Sequence, residues 1–264
     1  MSAVVITVTS GKGGVGKTTA TANISTALAA MGKKVVAIDA DIGLRNLDVV
    51  MGLENRIVYN LVDVVEGTCR LRQAMIKDKY LPELYLIPAA QSRDKTALTP
   101  GDMIELTNQM REDFDYILID SPAGIEQGFK NAIAPADRVL IVTTPEVSAV
   151  RDADRIIGLI EAEGKYSSDL VVNRVRVDLV RRGDMLSTED VVDVLAISLI
   201  GVVPDDESII ISTNQGRPAV LQNGSLAGQA FRDIAARLTG QTVPFMELDG
   251  HDSFMKRLSK LFKL

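Results

Sequence analysis

The 264-residue chain contains one cysteine (Cys69), one histidine (His251), no tryptophan and only 4% aromatic residues. Each scarcity removes a class of chemistry. A lone cysteine cannot build a disulfide framework, an iron–sulfur cluster or a cysteine-ligated zinc site within one chain. A lone histidine near the C-terminus argues against a histidine-based triad or metal cluster. No run of 18 apolar residues offers a membrane-spanning helix, and no Pro/Gly/Ser-rich linker or internal repeat divides the chain. Positive charge is also short: the net charge of −6 argues against a whole-surface nucleic-acid binder. With no signal-like segment ahead of the first apolar run, the expected setting is a reducing cytosol or its organellar equivalent.

Aliphatic residues are plentiful. Hydrophobic residues make up 46% of the chain, with Val, Ile, Leu and Ala dominant, which suits parallel strands buried on both faces between helices. Strand-like runs recur at 3–9, 34–39, 84–87, 115–120, 138–143, 169–173 and 198–203. Helix-period segments cover 17–31, 99–113, 146–163, 187–196 and 225–239. Ser187 to Asp190 resembles a capping box, and Gly240 ends the last segment. This alternation predicts an α/β fold: a single doubly wound, mostly parallel sheet flanked by helices over residues 1–246. A short linker (247–253) and a C-terminal amphipathic helix (254–264) follow. In such sheets the ligand lies beyond the carboxyl ends of the strands.

Directly after the first apolar run stands Ser-Gly-Lys-Gly-Gly-Val-Gly-Lys-Thr-Thr, residues 10–19. This is a phosphate-binding loop. From Gly11 through Gly13, Gly14, Val15 and Gly16 the backbone is expected to curl so that successive N–H groups face a polyphosphate. Lys17 is placed to reach the outer phosphates, Thr18 to take one position on Mg²⁺, and Thr19 to close the binding stretch. The positive end of the following helix adds to the site. A second lysine, Lys12, stands at the front of the loop. Two buried runs then end in carboxylates, Val35–Ile38 before Asp39-Ala40-Asp41 and Tyr116–Ile119 before Asp120. A buried strand delivering an aspartate beside a metal suits Asp39 and Asp120 as members of the metal shell. Asp41, one alternation further on, suits orientation of the hydrolytic water. Gly124 suits a backbone that swings when the γ-phosphate leaves.

Lys-Gly-Gly-Val-Gly-Lys-Thr, with lysine both before and inside the loop, resembles the deviant Walker-A ATPases. That P-loop family includes nitrogenase iron protein, the ParA/Soj partition ATPases and MinD. Asp-Ala-Asp-Ile-Gly-Leu-Arg-Asn-Leu-Asp (39–48), Asp-Ser-Pro-Ala-Gly-Ile-Glu (120–126), the strand end Val-Val-Asn-Arg and the basic tail are similar to the MinD, septum-positioning branch. The likeness covers essentially the whole chain. It implies a slow, Mg-dependent, activatable ATPase that forms an ATP-bound homodimer. Lys12 would reach the partner's phosphates, Asn173, Pro204 and Asp206 would border the adenine, and Asp152 would meet partner proteins. It further implies a MinC-like inhibitor, a MinE-like activator and peripheral attachment to the inner face of the cell membrane or a plastid equivalent. The alternative is a ParA/Soj-like partition or positioning ATPase acting on DNA or protein cargo. Against it stand Asp41-Ile42-Gly43-Leu44 in place of Asp-Pro-Gln-Gly, and the acidic body.

At about 100° per residue, Phe254, Met255, Leu258, Leu261 and Phe262 share one side of a helix, opposite Lys256, Arg257, Lys260 and Lys263. Such a helix, about 16 Å long, is too short to span a bilayer and suits one lying in its interface. Residues 251–264 carry a net +3 and leave −9 on the rest, so the tail is expected to meet anionic lipid and no nucleic acid is expected.

Overall fold

Alternation within the apolar runs places successive side chains on opposite faces of one sheet. In the computed structural model, which describes residues 2–92, 97–165 and 167–248, Ile6, Val8 and Leu118 enter one core, while Val5, Ile117 and Ile119 enter the other. The elements are β1 (Val4–Thr9), α1 (Lys17–Ala30), β2 (Val35–Asp39), α2 (Leu47–Met51), α3 (Leu61–Val65), α4 (Leu71–Ala74), β3 (Ile76–Lys77) and β4 (Leu84–Ile87). There follow α5 (Pro100–Asn108), β5 (Tyr116–Asp120), α6 (Gln127–Ile133), β6 (Arg138–Thr143), α7 (Val147–Ala162), β7 (Ser168–Val175) and α8 (Val177–Arg182). The described chain closes with α9 (Thr188–Leu195), β8 (Ser198–Pro204), α10 (Ser208–Asn214) and α11 (Leu226–Leu238).

The strands form an eight-stranded sheet in the order β3-β4-β2-β5-β1-β6-β7-β8, parallel except for the β3–β4 edge. Helices α1, α2 and α11 pack on one face, with Phe231, Ile24 and Leu28 fully buried between them and the strands. On the other face, α3, α5 and α6 cover the β2–β5 side and α7 and α9 the β6–β8 side. Crossovers in both directions from β1 put the carboxyl ends of β1, β2 and β5 together at a topological switch point.

The expected doubly wound sheet is present, with corrections at its margins. The helix expected over 99–113 stops at Asn108. Beyond it Met110 and Asp113 donate to Thr107 and Met110, a tighter i→i−3 pattern that turns Phe114 into the core. The capping box at Ser187 is present, with Asp190 as its reciprocal acceptor. Helices α2, α3, α4, α6, α8 and α10 run four to seven residues, too short to leave a helical period in the sequence. Among the described residues no helix is long and apolar enough to cross a membrane. The tail expectation, including Phe254, Met255, Leu258, Leu261 and Phe262, lies outside the described residues.

Candidate functional site

The phosphate loop is shaped by two kinds of glycine. Gly14 (φ 80°) and Gly16 (φ 100°) adopt left-handed conformations that a side chain would strain. Gly11 and Gly13 do not, which corrects the reading that all four glycines serve the curl. Gly11 is required for a different reason: a Cβ there would collide with the backbone of Asp152 in α7. Gly13 has room for a methyl group beside Ala123. The loop is held from behind by Asn173 at the end of β7, whose Nδ2 donates to the Val15 carbonyl at 2.7 Å and packs over Gly16. No side chain caps the first turn of α1, so its orphan N–H groups are left for an anion.

At the floor of the site Asp39 and Asp120 are direct register partners on β2 and β5. Both are buried. Asp39 accepts from the backbone N–H of Asp41 through Oδ1 (3.0 Å) and from those of Asn46 and Leu47 through Oδ2 (3.1 Å each). It therefore anchors the loop that carries Asp41, and the route left to a metal is through water. Asp120 Oδ1 accepts from Thr21 Oγ1 at 3.2 Å, and the nearby Thr18 hydroxyl favours its ionised form. Thr21, one turn beyond Lys17 on α1, was not singled out by the motif; its signal is only the helical spacing.

Burial, and then the charge of Asp39, push the Asp120 carboxyl well above the usual carboxylate range. Burial likewise raises Asp39. Two paired carboxylates that resist ionisation, beside a threonine hydroxyl, make an all-oxygen donor set that a small hard cation would relieve. The residues fit Mg²⁺. No cluster of three or more His, Cys, Asp or Glu side chains that could hold a metal ion occurs among the described residues. Asp120→Asn is therefore expected to raise the melting temperature of the ligand-free protein by removing the repulsion, while Mg²⁺-dependent nucleotide affinity falls. A lower melting temperature together with unchanged Mg²⁺ dependence would contradict this account.

Of three further charged residues around the loop, two lie close to one another and the third does not. Lys17 is buried, and burial lowers its pKa against the opposing pull of Asp120 and Asp41. Asp41 is half-buried beside Pro122 and Asn131, near both Lys17 and Asp39. Lys12 points away from the loop: its Nζ donates to Ser148 Oγ at 3.0 Å and lies 3.9 Å from Glu146, its side chain 44% exposed. Both partners sit at the start of α7.

Beyond Gly16 and Thr19 opens a cleft of about 650 Å³, lined by Asn173, Arg174, Pro204, Asp206 and Ile209. The three positions expected beside an adenine are thus brought together. The Asp206 carboxylate is also engaged within the protein. It accepts from Ser208 N (2.9 Å), Ser225 Oγ (3.1 Å) and Ala227 N (2.9 Å), tying α10 to α11. Asp152 is half-buried on the second turn of α7, against the loop. Arg174, which the sequence reading passed over, also lines the cleft.

Residues 3–171 match the AAA domain family. The septum site-determining protein MinD of Synechocystis is 55% identical over 258 residues, covering 97% of both chains. The solved MinC:MinD cell division protein complex of Aquifex aeolicus superposes with a TM-score of 0.87 at 49% identity, over 93% of this chain and 99% of that one. MinD of Pyrococcus horikoshii complexed with Mg-ADP gives 0.81 at 31% identity, over 89% and 96%. Identity of this extent sets the septum-positioning branch above the partition branch, and with the phosphate loop, the paired strand-end aspartates and the sheet order it assigns the chain to the MinD family of P-loop septum-site-determining proteins.

Proposed function

We propose that the chain is a slow, Mg²⁺-dependent ATPase whose ATP-bound form dimerises on the membrane, recruits a MinC-like division inhibitor and is discharged by a MinE-like activator. The observation that carries this reading is Lys12. A lysine at the mouth of a phosphate loop, yet turned onto Ser148 and Glu146, is free to be redirected by a second protomer's charge. In that arrangement the loop amides and Lys17 hold the triphosphate. Thr18, with Asp39 and Asp120 acting through water, would hold Mg²⁺, which would supply positive charge to screen the phosphate oxygens. Asp41, positioned by Asp39, orients a water in line with the γ-phosphorus, and the partner's Lys12 counters the charge that grows as the bond to the β-phosphate oxygen breaks. The MinC:MinD assembly of the Aquifex relative supports a MinC-like partner, and α7, with Asp152 and the Lys12 contacts, is the face suited to it. The site is on an acidic body expected in the cytoplasm, so attachment falls to the basic tail.

Lys12→Ala is expected to retain ATP binding while losing most ATP-dependent dimerisation and activated hydrolysis. Removal of one transition-state charge contact costs about 10²–10³ in rate. Equilibrium nucleotide titration, light scattering and vesicle-stimulated turnover on the same preparation read the three properties. Wild-type protein that stays monomeric with ATP, or a variant that dimerises normally, overturns the reading.

A further inference from the structure

Among the described residues only three non-glycine positions have positive φ, and one of them, Arg174 (φ 57°), stands on the wall of the nucleotide cleft. It follows Asn173 where the β7–β8 register shifts between Val172 and Val175. Glycine would hold this conformation without strain; a residue with a β-carbon does so at a cost, and such residues gather at ligand sites. Its guanidinium is also unusual. Arg176 pairs with Asp178 at 3.1 Å and Arg138 with Asp169 at 2.6 Å. Arg174 is exposed and makes no hydrogen bond or ion pair among the described residues. A strained backbone thus holds an unpaired planar cation at the cleft.

The remaining lining says which part of a nucleotide it meets. Gly16 and Thr19 mark the phosphate end. The rest of the lining carries Asp205, Asp206 and Glu207, which disfavour a phosphate there, together with Pro204, Ile209 and Ile210, which offer an apolar surface. A neutral, flat group suits that environment. We infer that Arg174 is a base-binding residue whose guanidinium plane lies on the purine ring, clamping it against the Pro204–Ile210 wall. Stacking of a delocalised, weakly hydrated cation on a π-system is a contact that lysine does not reproduce.

This rests on the reading of the site as an ATP site, and the experiment separates the two. Calorimetric titration with ATP and with ADP would compare the wild type with Arg174→Gly and Arg174→Lys, alongside their melting temperatures. Arg174→Gly is expected to bind both nucleotides about tenfold more weakly, equivalent to about 1.4 kcal/mol. It should melt no lower than the wild type, because glycine relieves the backbone strain. Arg174→Lys should recover only part of the affinity. Wild-type affinity in Arg174→Gly, a loss confined to ATP, or full rescue by lysine overturns the base contact while leaving the ATP site standing. A wild-type protein that binds neither nucleotide overturns both.

Discussion

Asp41→Ala is expected to keep ATP-dependent dimerisation and to lose turnover by about 10²–10⁴-fold, the range associated with a positioned general base. The argument begins with the loop that carries it. The carboxylate of Asp39 is occupied by three backbone amides from residues 41, 46 and 47, so the strand end and the far side of the loop are pinned to one buried anion. Asp41 is then fixed within electrostatic reach of Lys17. A second pin strengthens the first. Arg45, itself at φ 27°, lies 3.0 Å from the buried carboxylate of Asp48. Alanine at position 41 leaves every one of these contacts intact, because the bond to Asp39 is made by its backbone N–H. Ground-state binding should therefore survive and the chemical step should not. Single-turnover hydrolysis alongside size-exclusion chromatography with ATP separates the two, and persistent turnover would remove Asp41 from the water-positioning role.

Deletion of residues 254–264 is the second large effect. ATP-dependent sedimentation with anionic vesicles should be abolished while nucleotide affinity stays at the wild-type level. One basic amphipathic segment of eleven residues is marginal as an isolated helix and binds a surface weakly. Two joined in one dimer would gain about 10²–10⁴ in avidity, so attachment would follow the nucleotide state and hydrolysis would reverse it. Co-sedimentation with ATP, ADP and no nucleotide reads this directly. Retained ATP-dependent sedimentation of the truncated chain would place membrane binding elsewhere in the protein.

The parts that were legible in advance are those whose physics is local. Buried parallel strands read as continuous aliphatic runs, so β1, β2 and β5, and the aspartates that two of them deliver, could be placed from the sequence alone. The phosphate loop is likewise one contiguous segment. What escaped prediction depends on distant contacts. The two-residue strand Ile76–Lys77 exists only because β4 offers it an edge. The reason for Gly11 lies 141 positions away in Asp152. Asn173 lines the cleft as expected, but that its Nδ2 also braces the loop at Val15 depends on a segment 158 positions away. Asp206 lines the cleft as expected, and the joining of two helices by its carboxylate is again a matter of distant contacts. Arg174 looks ordinary until the bulge between β7 and β8 gives it its backbone angle.

The contact between Gly11 and Asp152 also bears on how a message arriving at α7 would travel. Most neighbouring segments in a protein meet through side chains, which change rotamer and absorb small displacements, as suspension absorbs a bump. Here main chain rests on main chain with no room for even a methyl group. The joint is stiff, and the same helix holds the resting contact of Lys12 at Ser148. A protein that docked on α7 and tilted it by a fraction of an ångström would hand that displacement to the phosphate loop, and would strain the Lys12 contact in the same stroke.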